Sequence, residues 1–534
     1  MSNIHEAYNR LDQHLRMRMQ VYHNPGLALA LTTQERTVRL SALGYSNLDS
    51  KTPLHSDHLF SIGSIGKAFT GVAVLQASDA GLIDLHTPVK TYLPWFEVKS
   101  PYEPITIHHL LTHTSGLPRG TDCTPDPRSE VYALRELEVG FPPGRHFFYS
   151  DLGYKVLGLV LQAVTGKPYP VLLHENIFKP LEMQDTFAMM THHIRPRMAV
   201  GYRSLFDDRP SHPSYPRVQA TWIETDSADG SIISTAGDMA KFARMLLNKG
   251  CVPDGRILSE AAYERMITPQ IEDEGEAYSY GLHLFEDEGY HHAGHGGDIP
   301  GYESYMWLDL DNLLGAVVLM TQPYTPRASF LALEFFRAIT LGQLLPDPIL
   351  PDFTHIANPE EYAGVYDSSE GPLILQAEGH HLLLMAGNER VVLEERSIDC
   401  FYANHPDWNL FLLRFERNAA GAITQVCYGP RWFTNERYDG PRSFETPPEW
   451  EAYAGHYRSH NPWETNFRVF PRKGQLILCW PAGDEEYLIP LGGGVFRIGE
   501  EEYIPERLCF DQIVEGKALR AVRSGCPYYR FFTP

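Results

Sequence analysis

Ser61-Ile-Gly-Ser64-Ile-Gly-Lys67-Ala-Phe-Thr70 decides how this chain is to be folded. Ser64 and Lys67 lie three residues apart, so on a helix they share a face and their side chains meet. Ala68, Val72 and Leu75 follow at helical spacing, with no proline before about Ala80, which predicts a helix opening at Gly63 and Ser64. The Ser64 hydroxyl then stands at a helix N-terminus, where the dipole favours developing negative charge. A lysine inside such a helix, partly desolvated, loses proton affinity and can serve as base for its neighbour. An isolated tetrapeptide of this kind reads equally well as a capped helix with an exposed lysine, so the rest of the chain has to decide.

The chain has 534 residues, too many for one core, and two to four domains are expected. An apolar share of 43% and a charged share of 21% fit an ordinary globular protein. The net charge of −22 argues against nucleic acid or an anionic membrane as partner and leaves a small molecule or short peptide as ligand. The seven cysteines are scattered, odd in number and without a CxxC pair, which points to reduced thiols. The N-terminus lacks an apolar h-region and no apolar run reaches the length of a membrane span, so a cytoplasmic location is expected. A homo-oligomer is compatible with all of this.

Outward from Ser64, residues 5–23 read as a helix leading into a strand, Gly26-Leu-Ala-Leu-Ala-Leu31, and a hairpin partner beginning Thr37-Val-Arg-Leu. Ile105-Thr-Ile-His-His-Leu-Leu-Thr-His-Thr-Ser-Gly-Leu117 reads as a short helix with a turn. His109 and His113 have the spacing of metal ligands, but no acidic third ligand follows in register, and capping and packing are the preferred roles. Phe141-Pro-Pro-Gly-Arg-His-Phe-Phe-Tyr149-Ser-Asp151 is a loop closing into a helix from about Leu152 to Thr165, stopped by Gly166. Ala228 to Asp238 caps a helix whose Met239, Phe242, Met245 and Leu246 form a core stripe. Residues 290–320 read as strands around a glycine-rich turn, His292 to Gly301, and Ala328 to Leu341 as an amphipathic helix. Strands first, helices next and strands last predict an α/β (α+β) sheet flanked by helices.

A proline-rich hinge, Leu345 to Pro351, marks a boundary, and beyond it the chain repeats itself. Tyr362-Ala-Gly-Val-Tyr366 returns as Tyr453-Ala-Gly-His-Tyr457, Leu382-Leu-Leu as Leu476-Ile-Leu, and the turn near Asn418-Ala-Ala-Gly421 as Glu515-Gly516. Three echoes in one order predict a duplication, each copy an antiparallel β-barrel or sandwich. The expected domains are 1–345, 346–445 and 446–534.

With Tyr149-Ser-Asp151 and His295-Gly-Gly297 set beside Ser64-x-x-Lys67, the chain resembles the class C β-lactamase and D-aminopeptidase group of serine hydrolases. That group carries Ser-x-x-Lys, Tyr-x-Asn and Lys-Thr-Gly or His-x-Gly in this chain order. The resemblance covers residues 20–340 and implies a β-lactamase/transpeptidase-like catalytic domain. Its three-domain D-aminopeptidases also carry two lipocalin-like barrels. It implies acyl transfer through a covalent intermediate on Ser64, with Lys67 and Tyr149 sharing proton transfer, and needs no cofactor or metal. The oxyanion would sit between the backbone N–H groups of Ser64 and Asp298. Gly296 and Gly297 are expected to keep the strand clear for substrate. A metal reading of His291, His292 and His295 is therefore not preferred.

Two departures bear on the substrate. His295 stands where carboxylate-binding relatives have lysine, and Asp151 where the group usually has asparagine. Both remove positive charge, so Asp151 and His295 are expected to flank a substrate bearing an amine or no charge. A D-aminopeptidase, or a D-amino-acid amide or ester hydrolase, is the expected activity. A carboxylesterase or a weak β-lactamase or DD-peptidase is the alternative, and an inactive sensor of peptidoglycan fragments the alternative of another class.

Overall fold

Leu27, Leu29 and Leu31 alternate with Ala28 and Ala30 along the strand Gly26–Thr33, and the first unit is assembled around that alternation. The leucine side meets Leu11 and Leu15 of the helix Ser2–Val21 and Phe335 and Phe336 of the helix Ala328–Leu341 in one cluster. The strand also packs against the helix Ala236–Leu247, whose Met239, Phe242, Met245 and Leu246 are buried as their spacing requires. The computed structural model describes residues 2–120, 126–273, 275–322, 328–347 and 349–532; Cys123 and Pro348 of the hinge lie outside them.

The strand Gly26–Thr33 pairs on one side with Thr37–Asn47 and on the other with Leu314–Met320, so the start and end of this unit share one sheet. All nine strands are antiparallel, and Tyr290–Ile299 lies next to Tyr302–Asp309, which adjoins Leu314–Met320. His292 to Ile299 is therefore strand, and the turn is confined to Pro300 and Gly301. This corrects the glycine-rich turn expected there. Ser64 lies in a 3₁₀ turn, Gly63–Ile65, that runs into the helix Gly66–Asp79. Eleven of that helix's fourteen residues are buried, so it is enclosed on all sides rather than amphipathic. The helix Asp151–Thr165 starts at an N-cap where the Ser150 hydroxyl accepts the Gly153 N–H, and ends at Gly166 in the left-handed conformation.

The chain divides into two compact units, the first made of Met1–Arg203, Arg217–Leu350 and Tyr503–Pro505, the second of Ser204–Pro216, Pro351–Glu502 and Glu506–Pro534. Two short segments thus depart from a linear division. The second unit holds two eight-stranded antiparallel arrays in which each strand pairs with the next. The array from Gly455–Arg458 to Cys526–Phe531 closes as a barrel through its first and last strands. The array from Gly364–Tyr366 to Arg431–Thr434 is nearly closed, with an isolated bridge between Asp367 and Thr434. The architecture is thus a mostly antiparallel sheet flanked by helices, followed by two eight-stranded barrels.

The sequence echoes fall at equivalent places. Tyr366 Oη donates to the Tyr362 carbonyl at 2.9 Å, and Tyr457 Oη to the Tyr453 carbonyl at 2.8 Å. Both rings are fully buried in their own cores. The Asn418–Gly421 and Glu515–Gly516 turns each link the sixth and seventh strands of their array. A Tyr366→Phe variant should lower unfolding stability by about 1 kcal/mol. Tyr457→Phe should cost more, because Arg530 Nη2 also donates to Tyr457 Oη. Urea unfolding followed by tryptophan fluorescence checks the order.

Candidate active site

Backbone contact without side chains builds this site. Gly63 has a φ of +51°, and a Cβ on it would lie 2.8 Å from the Asp298 nitrogen. A Cβ on Gly297 would lie 2.0 Å from the Ile62 carbonyl oxygen, so only glycine lets the strand Tyr290–Ile299 press against the turn carrying Ser64. Ser304 Oγ donates to the same Ile62 carbonyl at 2.7 Å. On Gly296 a Cβ would meet the Tyr305 ring at 3.1 Å. Gly297 is thus required for protein-to-protein approach, a role that the expectation of a clear path for substrate did not include.

Lys67 projects from the helix Gly66–Asp79 into a fully buried position. Its Nζ donates to Ser64 Oγ at 3.0 Å, to Asp151 Oδ1 at 2.5 Å and to the Asp229 carbonyl at 3.0 Å. An ammonium has three N–H bonds, and all three are used. Burial alone would lower the affinity of Lys67 for its proton, but Asp151, Tyr149 and Asp229 outweigh it and hold the group above the ordinary lysine range. Burial likewise works against the Asp151 carboxylate, and Lys67 and Arg119 outweigh it, so Asp151 stays below the ordinary carboxylate range. Lys67 is therefore an ammonium in this arrangement, the state that a carboxylate beside it favours, rather than the neutral amine of a lysine desolvated without one.

Tyr149 completes the group. Lys67 Nζ lies 4.8 Å from its ring centroid, and Lys67 and Ser64 both favour the ionised form of its hydroxyl. Burial raises the phenol above its ordinary pKa, partly opposed by Lys67. Ser64, Lys67, Tyr149 and Asp151 thus converge, drawn from one helix, one loop and the first turn of another helix.

His295 lies in the wall of the site, its ring centroid 6.1 Å from that of Tyr149. It is 3% exposed, its Nε2 pairs with Tyr278 Oη at 3.2 Å and its Nδ1 with the Gly296 carbonyl at 2.5 Å. Burial, with His283 and Lys67, holds it well below the ordinary histidine range, so it is a neutral wall residue without a free nitrogen for substrate. Asp298 follows, with its side chain exposed and its nitrogen close against Gly63. The surrounding protein and then Glu303, opposite it on the next strand, push its carboxyl upward, and Arg119 opposes them.

The histidines with metal-like spacing do not gather. His109 Nδ1 accepts the Thr106 N–H in a capping box, His113 lies beyond the helix end, His291 faces Asp311 and His292 accepts from Arg337. Among the described residues no group of three or more His, Cys, Asp or Glu side chains could hold a metal.

Sequence reading missed three participants. Asp229 lies in the capping stretch before Asp238 and contributes a backbone carbonyl that no side-chain pattern signals. Arg119 is exposed, its guanidinium 5.9 Å from the Tyr149 ring centroid, so the site does contain a cation. Tyr278 is fully buried between His113, Phe147 and His295.

Residues 11–335 match the protein-family model described as Beta-lactamase. Penicillin-binding protein 4 of Amycolatopsis lactamdurans is 28% identical over 302 residues, 53% of this chain and 77% of that protein. The octameric penicillin-binding protein homologue from Pyrococcus abyssi has a TM-score of 0.60 at 22% identity, over 80% of this chain and 100% of that one, a likeness of fold alone. The D-amino acid amidase from Ochrobactrum anthropi SV3, solved with L-phenylalanine, has a TM-score of 0.52 at 27% identity, over 60% of this chain and 94% of that one.

Removing one partner of a buried ion pair costs about 3–5 kcal/mol, because the other charge is left in a dry site. Asp151→Ala should therefore destabilise the first unit by about that amount, and Asp151→Asn by less, since its carboxamide oxygen still accepts from Lys67. The depressed Asp151 supplies this stability above about pH 4 and loses it as pH falls through its folded value. The raised Lys67 supplies it below about pH 10 and loses it as pH rises through its own. The difference between wild type and Asp151→Ala should be flat from about pH 5 to 9 in denaturant titrations.

Proposed function

This chain belongs to the beta-lactamase family, and on that footing we propose that it is a serine hydrolase that cleaves amides or esters of D-amino acids through an acyl-enzyme on Ser64. The observation that carries this reading is the Lys67 ammonium, held at 3.0 Å from Ser64 Oγ with its other two N–H bonds committed to Asp151 and Asp229. A cation so satisfied cannot take the serine proton, so proton transfer passes to Tyr149. Ser64 Oγ attacks the substrate carbonyl carbon, and its proton moves to Tyr149 Oη as the neutral phenol releases its own hydroxyl proton toward the leaving group. Tyr149 gives a proton to the departing amine or alcohol. Water then attacks the Ser64 ester, giving its proton to Tyr149, which returns one to Ser64 Oγ. Lys67 supplies positive charge throughout. The N–H groups of Ser64 and Asp298 would receive the oxyanion, each typically contributing several kcal/mol to the transition state.

The substrate class rests on charge. Asp151 is neutralised by Lys67, on which the Asp229 carboxylate also acts, and the exposed Asp298, the half-buried Glu303 and Arg119 are further charges near Tyr149 and the oxyanion strand. Two carboxylates against one guanidinium favour a substrate with an α-ammonium group. The similarity to a D-amino acid amidase points the same way. Arg119 favours a second reading, a peptidase that takes a terminal carboxylate. The division into a catalytic domain over 1–345 and two copies of one barrel module over 346–445 and 446–534 is part of this proposal. So is a cytoplasmic location, supported by the six cysteines among the described residues, all of them free thiols. Among the described residues no single helix is long and apolar enough to cross a membrane.

Ser64→Ala should abolish turnover of every accepted substrate, and retention of a tenth of the wild-type rate would place the nucleophile elsewhere. A charge-assisted contact is worth about 1.5–3 kcal/mol, or one to two decades in rate. kcat/KM for a D-alanyl anilide should thus exceed that for its N-acetyl derivative tens-fold, and Asp298→Asn should narrow the gap. Equal rates would favour a plain esterase. A preference for substrates ending in a free carboxylate, lost in Arg119→Gln, would favour the peptidase.

A further inference from the structure

The helix Ile107–Leu111 ends at His113 in the left-handed conformation, with a φ of +57°, where glycine is the usual residue. A histidine there carries backbone strain, and such strain persists where the surroundings hold it in place. The surroundings here are the loop that carries Tyr149. The His113 carbonyl accepts the Phe148 N–H at 2.8 Å, and its Nδ1 accepts the Ser150 N–H at 3.0 Å. One residue therefore fixes the main chain on both sides of Tyr149. Its ring also lies against the Tyr149 ring, centroids 4.3 Å apart, and is backed by Tyr154 at 5.1 Å and Tyr278 at 4.8 Å.

The arrangement requires a neutral imidazole protonated at Nε2, because a proton on Nδ1 would face the Ser150 N–H. Complete burial, then Lys67, His295 and His283, hold His113 well below the ordinary histidine range. Its Nε2 is buried and has no hydrogen-bond partner among the described residues, so the side chain's one hydrogen bond is the one to Ser150. A left-handed backbone and an unpaired buried N–H are both unfavourable, and packing alone would be met by a glycine or an apolar residue.

We propose that His113 is the positioning residue for Tyr149, setting the phenol against Ser64 by gripping the chain at Phe148 and Ser150 and packing against the ring. The proposal rests on the reading of Tyr149 as the proton carrier. Displacing a reacting group by about 1 Å typically costs 10²-fold. The loss should appear in kcat rather than KM, and most strongly where the leaving group needs a proton.

Two variants suit the positive φ, glycine without strain and asparagine with less than most residues. His113→Gly removes acceptor and ring, while His113→Asn retains an oxygen near the Nδ1 position. Each is assayed on a D-alanyl anilide and on a p-nitrophenyl ester, whose leaving group departs without protonation. His113→Gly should lower kcat for the anilide about 10²-fold more than for the ester, and His113→Asn should recover most of that loss. In a Tyr149→Phe background His113→Gly should add little. An equal fall for both substrates, or full additivity with Tyr149→Phe, would overturn the proposal. A Tyr149→Phe enzyme of wild-type activity would instead refute the proton-carrier reading. In that case, or if His113→Gly fails to fold, a crystal structure of His113→Asn decides the positioning claim. Tyr149 in place with the Ser150 N–H bonded to the introduced carboxamide oxygen supports it, and Tyr149 in place without that bond overturns it.

Discussion

A lysine ammonium without access to water has to find three acceptors inside the protein, and the site is arranged around that requirement. Lys67 takes one from a side chain one turn before it, one from a carboxylate on a second helix and one from a backbone carbonyl on a loop. Desolvating a charge costs several kcal/mol unless partners replace the water. The three acceptors therefore constrain where Ser64, Asp151 and Asp229 can sit. The glycines meet the same constraint from the other side. Gly63 and Gly297 let the strand Tyr290–Ile299 close on the Ser64 turn, and a Cβ on Gly230 would lie 3.1 Å from the Gly63 carbonyl carbon, so the Asp229 loop closes on it as well.

Asp151 in place of the family's asparagine changes the electrostatics without changing the shape. An asparagine would leave the ammonium with two neutral acceptors and one amide oxygen, and burial would then favour loss of its proton. The carboxylate reverses that balance. Tyr149, a phenol raised above its ordinary range, is left as the group nearest Ser64 that can both take and give a proton. In the proposed mechanism His113 and Tyr149 divide the work between holding a geometry and moving a proton.

Much of this was legible in the sequence, and the rest was hidden for identifiable reasons. Ser64-x-x-Lys67 is a local pattern, and local spacing fixes which side chains meet on a helix. The tyrosine echoes at 362–366 and 453–457 were legible because each ring returns a hydrogen bond to the residue four positions earlier. The stretch His292 to Gly301 misled because glycine ordinarily signals a turn. Here Gly294 and Gly297 are demanded by neighbouring backbone, with Cβ positions 2.1 Å from the Met306 oxygen and 2.0 Å from the Ile62 oxygen, contacts made by residues distant in the chain or on the next strand. His295 was expected at the substrate because it stands where carboxylate-binding relatives have lysine, and the sequence did not signal that both its nitrogens are engaged within the protein. Arg119 and Asp229 escaped notice because their roles depend on loops whose course no periodicity describes.

Covalent chemistry at Ser64 is the claim on which the account stands, and a fluorophosphonate probe followed by intact-mass and peptide mass spectrometry tests it most directly. One adduct per chain, mapped to the peptide containing Ser64 and absent from Ser64→Ala, is the predicted result. A folded protein that takes up no probe, or one labelled at another serine, would contradict it.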